Sequence, residues 1–489
     1  MYPLLNPKGF RRGCTRITPL LSRPFVKASA NLDHEQISTG AVLNNLFFAR
    51  SQMGMSLAFH IIFAVIGMAM PLLMAVSEGC YLRTKKPIFL ELSKRWAAGT
   101  TILFAVGAVS GTVLSFELGL LWPKFMQYAG AIIGMPFSLE GFAFFTEAIF
   151  LGIYLYGWNR VSPMLHWLAG IVVAVSGVLS AVFVVLANSW MNAPAGFDVV
   201  NGQPVNINPL AAMLNPASLH ETIHMVLAAY VATAFLVAGI HAFFLLRDPK
   251  SVFHRASCSI ALVVACVSIP LQMVSGDFAA REVAKLEPPK LAAMEAHYQT
   301  STGVPLVIGG IPDDATKTVN YGLQIPFGLS LLVGYNPETK VVGLEDFPRD
   351  QWPNVRLVHW SFDIMVGTGS VMLAVAAWVG WIWWRTRRLP DNKWLLRALV
   401  CCAPLGFIAV ETGWFVTELG RQPWIIYGFM RTRDAVTPMP GLVVPFTTFT
   451  TVYLLLAVIV IFLLRRQFME TQPRWIKKET LKKEPVSHA

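Results

Sequence analysis

Residues 222–246 read TIHMVLAAYVATAFLVAGIHAFFLL and contain no Asp, Glu, Lys or Arg. About 20 such residues are enough to cross a bilayer as an α-helix. Comparable uncharged runs recur at residues 96–116, 161–197, 256–276, 364–384 and 435–464. Three more apolar runs, at 52–77, 138–157 and 399–418, carry ionisable groups: His60, Glu140, Glu147, Glu411 and Glu418. With 55% hydrophobic residues, 14% charged residues and a mean hydropathy of +0.53, the chain is excluded from the ordinary soluble proteins. The sequence predicts an all-α, polytopic membrane protein with about nine transmembrane helices.

Basic residues differ between the two predicted sides of this bundle. They cluster in the short loops after the first, third, fifth and seventh runs and in the C-terminal tail. In contrast, the loop between the second and third runs has only Lys124 as a basic residue, and the loop between the fourth and fifth has none. By the positive-inside rule, the N-terminus is predicted to lie outside and the C-terminus in the cytoplasm. Topology and anionic lipid therefore explain the net charge of +11 without a nucleic-acid partner.

The chain divides into five predicted segments. Residues 1–43 form a basic N-terminal extension, either a processed or targeting-like leader or the result of an upstream start. Residues 44–276 contain the first six membrane helices, and residues 277–355 form a polar loop on the outer face. Residues 356–465 contain the last three helices, and residues 466–489 form a basic cytoplasmic tail. A loop as long as 277–355 is typical of a lid or a binding loop.

Two histidines and one methionine are candidate metal ligands. His60 lies in the first run and His224 near the start of the fifth, and either ring alone may equally bond a neighbouring carbonyl group. Met365 opens the seventh run, where a methionine alone usually fills space. Taken together, His224 and Met365 lie at the same predicted outer level on two helices. They are therefore candidates for the axial ligands of a heme iron.

Four further ionisable residues are candidates for proton chemistry. Glu140 and Glu147 are seven residues apart, which places both carboxyl groups on one helix face about 10 Å apart along the axis. A proton path explains two such acids better than a pair satisfied by neighbouring hydroxyl groups. In the outer loop, Lys290 and Glu295 lie on a short helical stretch. They form either a solvated amphipathic turn or a site where Glu295 accepts a proton from a hydroxylated substrate.

The eighth run ends in Glu418-Leu419-Gly420-Arg421-Gln422-Pro423-Trp424. An acid and an arginine at the end of a membrane helix either form an ion pair that faces water or belong to a functional site. The other ionisable residues within the predicted spans favour the functional site.

Several separated motifs resemble subunit I of the cytochrome bd-type quinol oxidases, closest to the short-loop, cyanide-insensitive branch. The resemblance covers about residues 44–465. It rests on the GRQPW motif with its preceding Glu at 418–424, the acidic motif at 140–147 and KLAAME at 290–295, together with GIPD at 310–313, QIP at 324–326 and NSWMN at 188–192.

The resemblance implies two hemes b and one heme d, with a heme b in place of heme d as the alternative. His224 and Met365 would ligate the low-spin heme b. His60 and Glu418 would ligate the two high-spin hemes, and we predict heme d on His60 and heme b on Glu418, although family members differ in this order. Arg421 would neutralise the heme propionates or the Glu418 carboxylate.

The resemblance also implies the partners and the reaction. Lys290 and Glu295 would bind and deprotonate quinol in an outer-face loop, whereas Glu140 and Glu147 would carry protons to the site where O2 is reduced to water. A second membrane subunit, subunit II, and a small accessory subunit are the implied partners in a bacterial inner membrane. One departure concerns Asp363, because some family members carry Arg two residues before the methionine ligand. A proton-coupled secondary transporter is the alternative function, but we find no internal repeat of the kind that such transporters show.

Overall fold

A computed structural model describes residues 25–387 and 392–469. Within these residues, nine segments are helical, long and apolar enough to cross a membrane. The first four are α1 (Phe25–Thr84, apolar from Asn45), α2 (Pro87–Leu121), α3 (Pro123–Tyr156) and α4 (Pro163–Asn192). After β1 (Asp198–Val200), β2 (Gln203–Val205) and the short α5 (Pro209–Met213), the chain continues as α6 (Ser218–Arg247) and α7 (Val252–Leu286). The last three spans are α10 (Val355–Thr386), the pair α11 (Lys393–Cys402) and α12 (Leu405–Gly420), and α14 (Val443–Met469).

Local sequence explains where many of these helices begin. Proline occupies the first helical position of α2, α3 and α4, where its missing N–H would have no helical partner. Side chains cap other helices by accepting a backbone N–H. Ser162 caps α4, Ser251 caps α7 and Asn354 caps α10.

The boundaries of three predicted spans differ from the structure. The sixth helix continues to Leu286. It therefore includes residues 277–286, which the sequence assigns to the polar loop. The last helix begins at Val443 and not near residue 435, since Pro438, Pro440 and Gly441 interrupt the apolar run. The eighth span is split into α11 and α12 around Pro404. Of the predicted N-terminal extension, residues 25–43 belong to α1, and residues 1–24 lie outside the described part of the chain.

Helix α6 lies very close to the split eighth span. A Cβ atom built on Gly406 would be 2.4 Å from the Ala232 Cα atom, and one built on Gly239 would be 2.6 Å from the Leu399 carbonyl oxygen. Small residues allow this backbone-to-backbone approach, as is common between membrane helices. The approach brings the helix that carries His224 against the helix that carries Glu418.

The loop between α7 and α10 folds into a packed cap. It contains two short helices, α8 (Pro288–Met294) and α9 (Gly328–Gly334). It also contains two antiparallel strand pairs, in which β3 (Leu306–Ile308) pairs with β6 (Leu323–Ile325) and β4 (Ile311–Asp313) with β5 (Thr318–Asn320). Leu291, Leu329 and Leu344 of this cap are buried together with Val358 of α10 and Val416 of α12. The cap is therefore docked on the seventh and eighth spans. After α12, β7 (Trp424–Ile426), β8 (Met430–Arg431) and α13 (Thr432–Ala435) complete the fold.

Candidate functional site

Glu418 and Arg421 form an ion pair at the end of α12, with 2.6 Å between Oε2 and Nη2. The arginine side chain is only 1% exposed, whereas the glutamate side chain is 30% exposed. Asn188 of α4 donates a hydrogen bond of 2.7 Å to the other carboxylate oxygen of Glu418. The interpretation of this pair as a water-facing helix end is therefore wrong for Arg421, which is held inside the protein.

Asn192 connects this ion pair to the cap. Its Oδ1 atom accepts hydrogen bonds from Arg421 at 2.9 Å and from the Lys290 ammonium at 3.4 Å. Its amide donates to Glu221 of α6 at 2.7 Å. The Lys290 ammonium also pairs with Glu287 at 2.7 Å, and both of these side chains are buried. Two cations and three acids therefore meet in one buried polar network.

Sequence reasoning missed three members of this network. The sequence indicates no role for Glu221 and Glu287, and Asn192 stands out only as part of the NSWMN motif. The spacing of Asn188 and Asn192 could have indicated a shared site, because residues four apart share a helix face. Glu287 likewise lies three residues before Lys290, at a spacing that suits an ion pair on a helix.

Gly420 allows Lys290 to reach this network. A Cβ atom at residue 420 would be 2.7 Å from Lys290 Cγ and 3.1 Å from its Cε. The lysine stem therefore passes directly over the glycine of the GRQPW motif. The structure joins two motifs that are far apart in sequence.

Glu295 lies in different surroundings from Lys290, although both residues belong to one short segment. Its side chain is 2% exposed, and its Oε1 atom has no hydrogen-bond partner among the described residues. Burial, and next the nearby Asp363 carboxylate, raise the pKa of Glu295 to about 8. Since Lys290 is also only 4% exposed, the interpretation of 290–295 as a solvated amphipathic turn is wrong.

His359 and Asp363 of α10 attach the cap to the membrane helices. The His359 ring lies 2.7 Å from the Met294 carbonyl oxygen through Nδ1 and 3.0 Å from the Gly309 carbonyl oxygen through Nε2. Asp363 accepts the Gly309 N–H at 2.7 Å and lies 3.3 Å from Nε2 of His359. Carbonyl oxygens only accept hydrogen bonds, so the His359 ring donates to the backbone of the cap. His359 and Asp363 therefore both bind the cap backbone at Gly309.

The hydrogen bonds around His60 indicate which of its ring nitrogens is free to bind a metal. Nδ1 lies 3.0 Å from the Ser110 hydroxyl, and that hydroxyl donates its own proton to the Val106 carbonyl at 2.9 Å. His60 Nδ1 must therefore be the donor, which leaves the lone pair on Nε2. A Cβ atom on Gly111 would be 2.9 Å from His60 Cε1, so only glycine fits beside the ring.

His224 and Met365 both lie against helices that border the buried network. The Gln272 amide nitrogen lies 3.0 Å from His224 Nε2 and 3.4 Å from Nδ1. The Met365 sulfur faces α12, where a Cβ atom on Gly413 would be 3.0 Å away. A metal on His224 requires Gln272 to give up one of its two ring contacts.

Glu140 and Glu147 both face α4. Ser180 donates a hydrogen bond of 3.2 Å to Glu140, and Gly177 lies beside the Glu147 carboxyl group. Glu147 is buried, at 6% exposure. The prediction that both acids share one helix face is confirmed.

Comparisons with known proteins decide between the two functions considered from the sequence. Residues 48–472 match the family model described as cytochrome bd terminal oxidase subunit I. The chain belongs to this family.

It is 35% identical, over 87% of its length and 97% of the relative, to a Bacillus subtilis (strain 168) protein named "Putative cytochrome bd menaquinol oxidase subunit I". It is 31% identical, over 87% of its length and 94% of the relative, to the cytochrome bd ubiquinol oxidase subunit 1 of the same organism. Among solved structures, the bd oxidase from Geobacillus thermodenitrificans matches with a TM-score of 0.82 and 36% identity, over 88% of this chain and 99% of that one.

Proteins of the cytochrome bd family bind hemes b and d and lie in the bacterial inner membrane. This chain has residues that are suited to ligate heme iron. His60 offers Nε2 with its tautomer set by Ser110, and heme-ligating histidines commonly donate their second N–H in this way. Glu418 offers a carboxylate whose charge Arg421 already balances. His224 and Met365 are a donor pair that suits a low-spin iron. The residues therefore fit the group, and the transporter interpretation is not supported.

Proposed function

We propose that this chain is subunit I of a terminal quinol oxidase, which oxidises quinol at the outer face and reduces O2 to water. The buried network that joins Lys290 of the outer cap to Arg421 and Glu418 carries this proposal. It links a substrate-binding loop to a residue suited to ligate iron, which a transporter would not need. The family names of the relatives, which include menaquinol and ubiquinol oxidases, support the same reaction.

Quinol binds beneath the cap, where Glu295 accepts a proton from a quinol hydroxyl and Lys290 polarises the quinol oxygen. The buried position of Glu295 supports this role, because a pKa raised to about 8 makes its carboxylate a stronger base, which can take a proton from quinol and then release it at the outer surface. Lys290 and Arg421 both donate hydrogen bonds to Asn192. A movement of Lys290 when quinol binds would therefore alter the hydrogen bonding of Arg421. The cap keeps both residues out of bulk water.

Four residues are proposed as heme ligands. His224 and Met365 hold the low-spin heme b, His60 holds heme d and Glu418 holds the high-spin heme b, with heme b in place of heme d on His60 as the alternative. When bound, these hemes carry electrons from quinol to oxygen. Arg421 balances the Glu418 carboxylate or the heme propionates.

Glu147 and Glu140 supply the protons consumed in water formation, taken from the cytoplasmic side. Because quinol protons leave on the outer side, charge separates across the membrane without a pump. Subunit II is the proposed partner that completes the oxygen site, and a small accessory subunit is a further partner. The exposed aromatic residues of α2 and α3, Phe116, Phe142 and Phe145, provide an apolar surface for such a chain or for lipid.

A reduced-minus-oxidised optical spectrum of the purified protein tests this proposal. Low-spin b, high-spin b and chlorin-type d bands are expected together, and Met365→Leu should change only the low-spin band. Absence of the d band alone would show that heme b replaces heme d. A folded protein without heme bands would overturn the oxidase proposal.

A further inference from the structure

Helix α3 presents a third polar side chain in line with the two acids. Tyr154 lies seven residues after Glu147, as Glu147 lies seven after Glu140, so the three share a face at intervals of about 10 Å. Each of them contacts α4. The Tyr154 ring lies against Gly170, where a Cβ atom would be 2.7 Å from its Cε2 atom, and Gly177 lies beside Glu147. We call this polar line between α3 and α4 the seam.

The seam ends at a buried ion pair that the proposed function does not use. Glu78 of α1 and His166 of α4 are 2.7 Å apart between Oε1 and Nδ1, and their side chains are 4% and 2% exposed. The other ring nitrogen of His166 lies 2.8 Å from the Tyr154 carbonyl oxygen. Glu78 and Ser93 lie beside the Tyr154 phenol, and Trp158 stacks near the His166 ring at 4.0 Å between centroids.

The contacts of this pair place one proton between its two members. A carbonyl oxygen only accepts, so His166 Nε2 carries a hydrogen. The contact between Nδ1 and Oε1 then contains one proton, which lies on the imidazole or on the carboxyl group, and the pair is neutral overall in both forms. Without that proton, a nitrogen lone pair would face a buried carboxylate, which is costly in a dry interior. The pair therefore releases its proton only when another proton replaces it.

Two unpaired atoms mark where that exchange can occur. Glu78 Oε2 and the Tyr154 hydroxyl oxygen are buried and have no hydrogen-bond partner among the described residues. Buried polar atoms of this kind usually bind ordered water. Lys94, at the start of α2, lies 5.1 Å from the Trp158 ring, so this group is near the loop end of the helices.

We propose that Glu78 and His166 form the proton-loading site of the seam, from which protons pass beside Tyr154 to Glu147 and then Glu140. A proton enters from water at Glu78 Oε2 as another leaves the pair towards Glu147, so the charge of the pair is unchanged. Water beside Tyr154 covers the remaining distance of about 10 Å to Glu147. The inference rests on the proposed function, and on the topology that places this end in the cytoplasm.

The variant Glu78→Gln tests the inference, because it keeps the shape and the hydrogen bond to His166 but removes the exchangeable carboxyl proton. The experiment mixes fully reduced oxidase complex with O2 and follows proton uptake with a pH-indicating dye. Reduction of the low-spin heme by quinol is measured separately, without oxygen. We expect uptake to slow about tenfold or more, as for loss of a proton-transfer group, while heme content and anaerobic reduction stay unchanged.

Glu91→Gln is the matched control. Glu91 pairs with Arg95 at the same end of the molecule but is 23% exposed and lies outside the seam. Its variant should take up protons at the wild-type rate. Wild-type uptake in a heme-replete Glu78→Gln variant would overturn the inference.

A second variant covers the case in which Glu78→Gln does not incorporate heme. Glu78→Asp keeps the charge and lengthens the contact with His166. A proton-loading site predicts slower uptake with a larger solvent deuterium isotope effect, whereas a purely structural pair predicts lower thermal stability with unchanged uptake and would overturn the inference. Failure of the proposed function is distinguishable, since the wild-type protein would then lack heme or quinol oxidase activity.

Discussion

Single residues at the cap end of this protein owe their proposed chemistry to burial. Lys290, Glu287, Arg421 and Glu295 are each at most 4% exposed. Lys290 pairs with Glu287 and Arg421 pairs with Glu418, whereas Glu295 lies beside a second acid. Glu295 is therefore the member of this group whose proton occupancy should change near neutral pH.

The pH dependence of quinol oxidation should report Glu295. The raised pKa of about 8 means that the residue is protonated below pH 8, while a base must be deprotonated. We expect kcat/KM for quinol to rise with pH up to about 8 and then to level off. Steady-state oxygen consumption across pH 6 to 9 measures this, and Glu295→Gln should lower the rate at least a hundredfold and remove the rising limb. An unchanged limb in the variant would assign it to another group.

Gly420→Ala should disturb Lys290 without touching any proposed ligand. The new methyl group would meet the lysine stem at 2.7 Å, and overpacking of this kind costs about 1–3 kcal/mol. We expect a lower thermal midpoint and a higher KM for quinol. Gly134→Ala in α3 is the control, because nothing lies within 4 Å of its Cβ position. Equal behaviour of the two variants would contradict the proposed contact.

At the scale of elements, helix contacts determine which candidate ligands can share a site. Helices α6 and α12 approach closely through Gly406 and Ala232. This contact positions the helix of His224 relative to that of Glu418. Such a backbone contact cannot adjust by a rotamer change.

Gly406→Ala should therefore force the two helices apart. A methyl group only 2.4 Å from the Ala232 Cα atom has no room, so we expect a loss of stability of about 1–3 kcal/mol and reduced heme retention. Thermal unfolding, and heme content per protein from the optical spectrum, measure both effects. Gly380→Ala in α10, where nothing lies within 4 Å, should retain its hemes. Full heme content in Gly406→Ala would show that this contact does not position the ligands.

At the scale of the whole molecule, the direction of proton movement depends on which end faces the cytoplasm. The cap with Glu295 is at one end of the bundle, and the Glu78–His166 pair is near the short basic loops at the other. If the cap lies outside, quinol protons and oxygen-site protons use opposite faces. The positive-inside rule predicts this orientation.

Accessibility of engineered cysteines tests the orientation. Tyr321 in the cap is 94% exposed, and Asn159 is exposed in the loop between α3 and α4. With an impermeant maleimide on spheroplasts, Tyr321→Cys should be labelled directly and Asn159→Cys only after permeabilisation. The parent chain gives the background from native cysteines. The reverse pattern would invert the proposed proton route.

Much of this protein could be predicted from local sequence. Spanning helices follow from apolar runs because every backbone group in lipid must be satisfied within its own segment, so length and composition are enough. The same reasoning singled out Glu140 and Glu147, since helical periodicity alone places them on one face. Composition does not predict where a helix ends once it leaves the membrane, because polar residues there can remain helical, as in the residues before Leu286.

Only the tertiary structure showed which distant residues meet. Asn192 contacts Arg421 across 229 positions, and Glu78 contacts His166 across 88. The sequence identified acids, bases and possible ligands as types, because burying them in lipid is costly wherever they occur. Their partners depend on helix packing, which arises from contacts between segments that no local pattern records. The tertiary structure therefore decided that Lys290 contacts the network around Arg421 and that His166 pairs with Glu78.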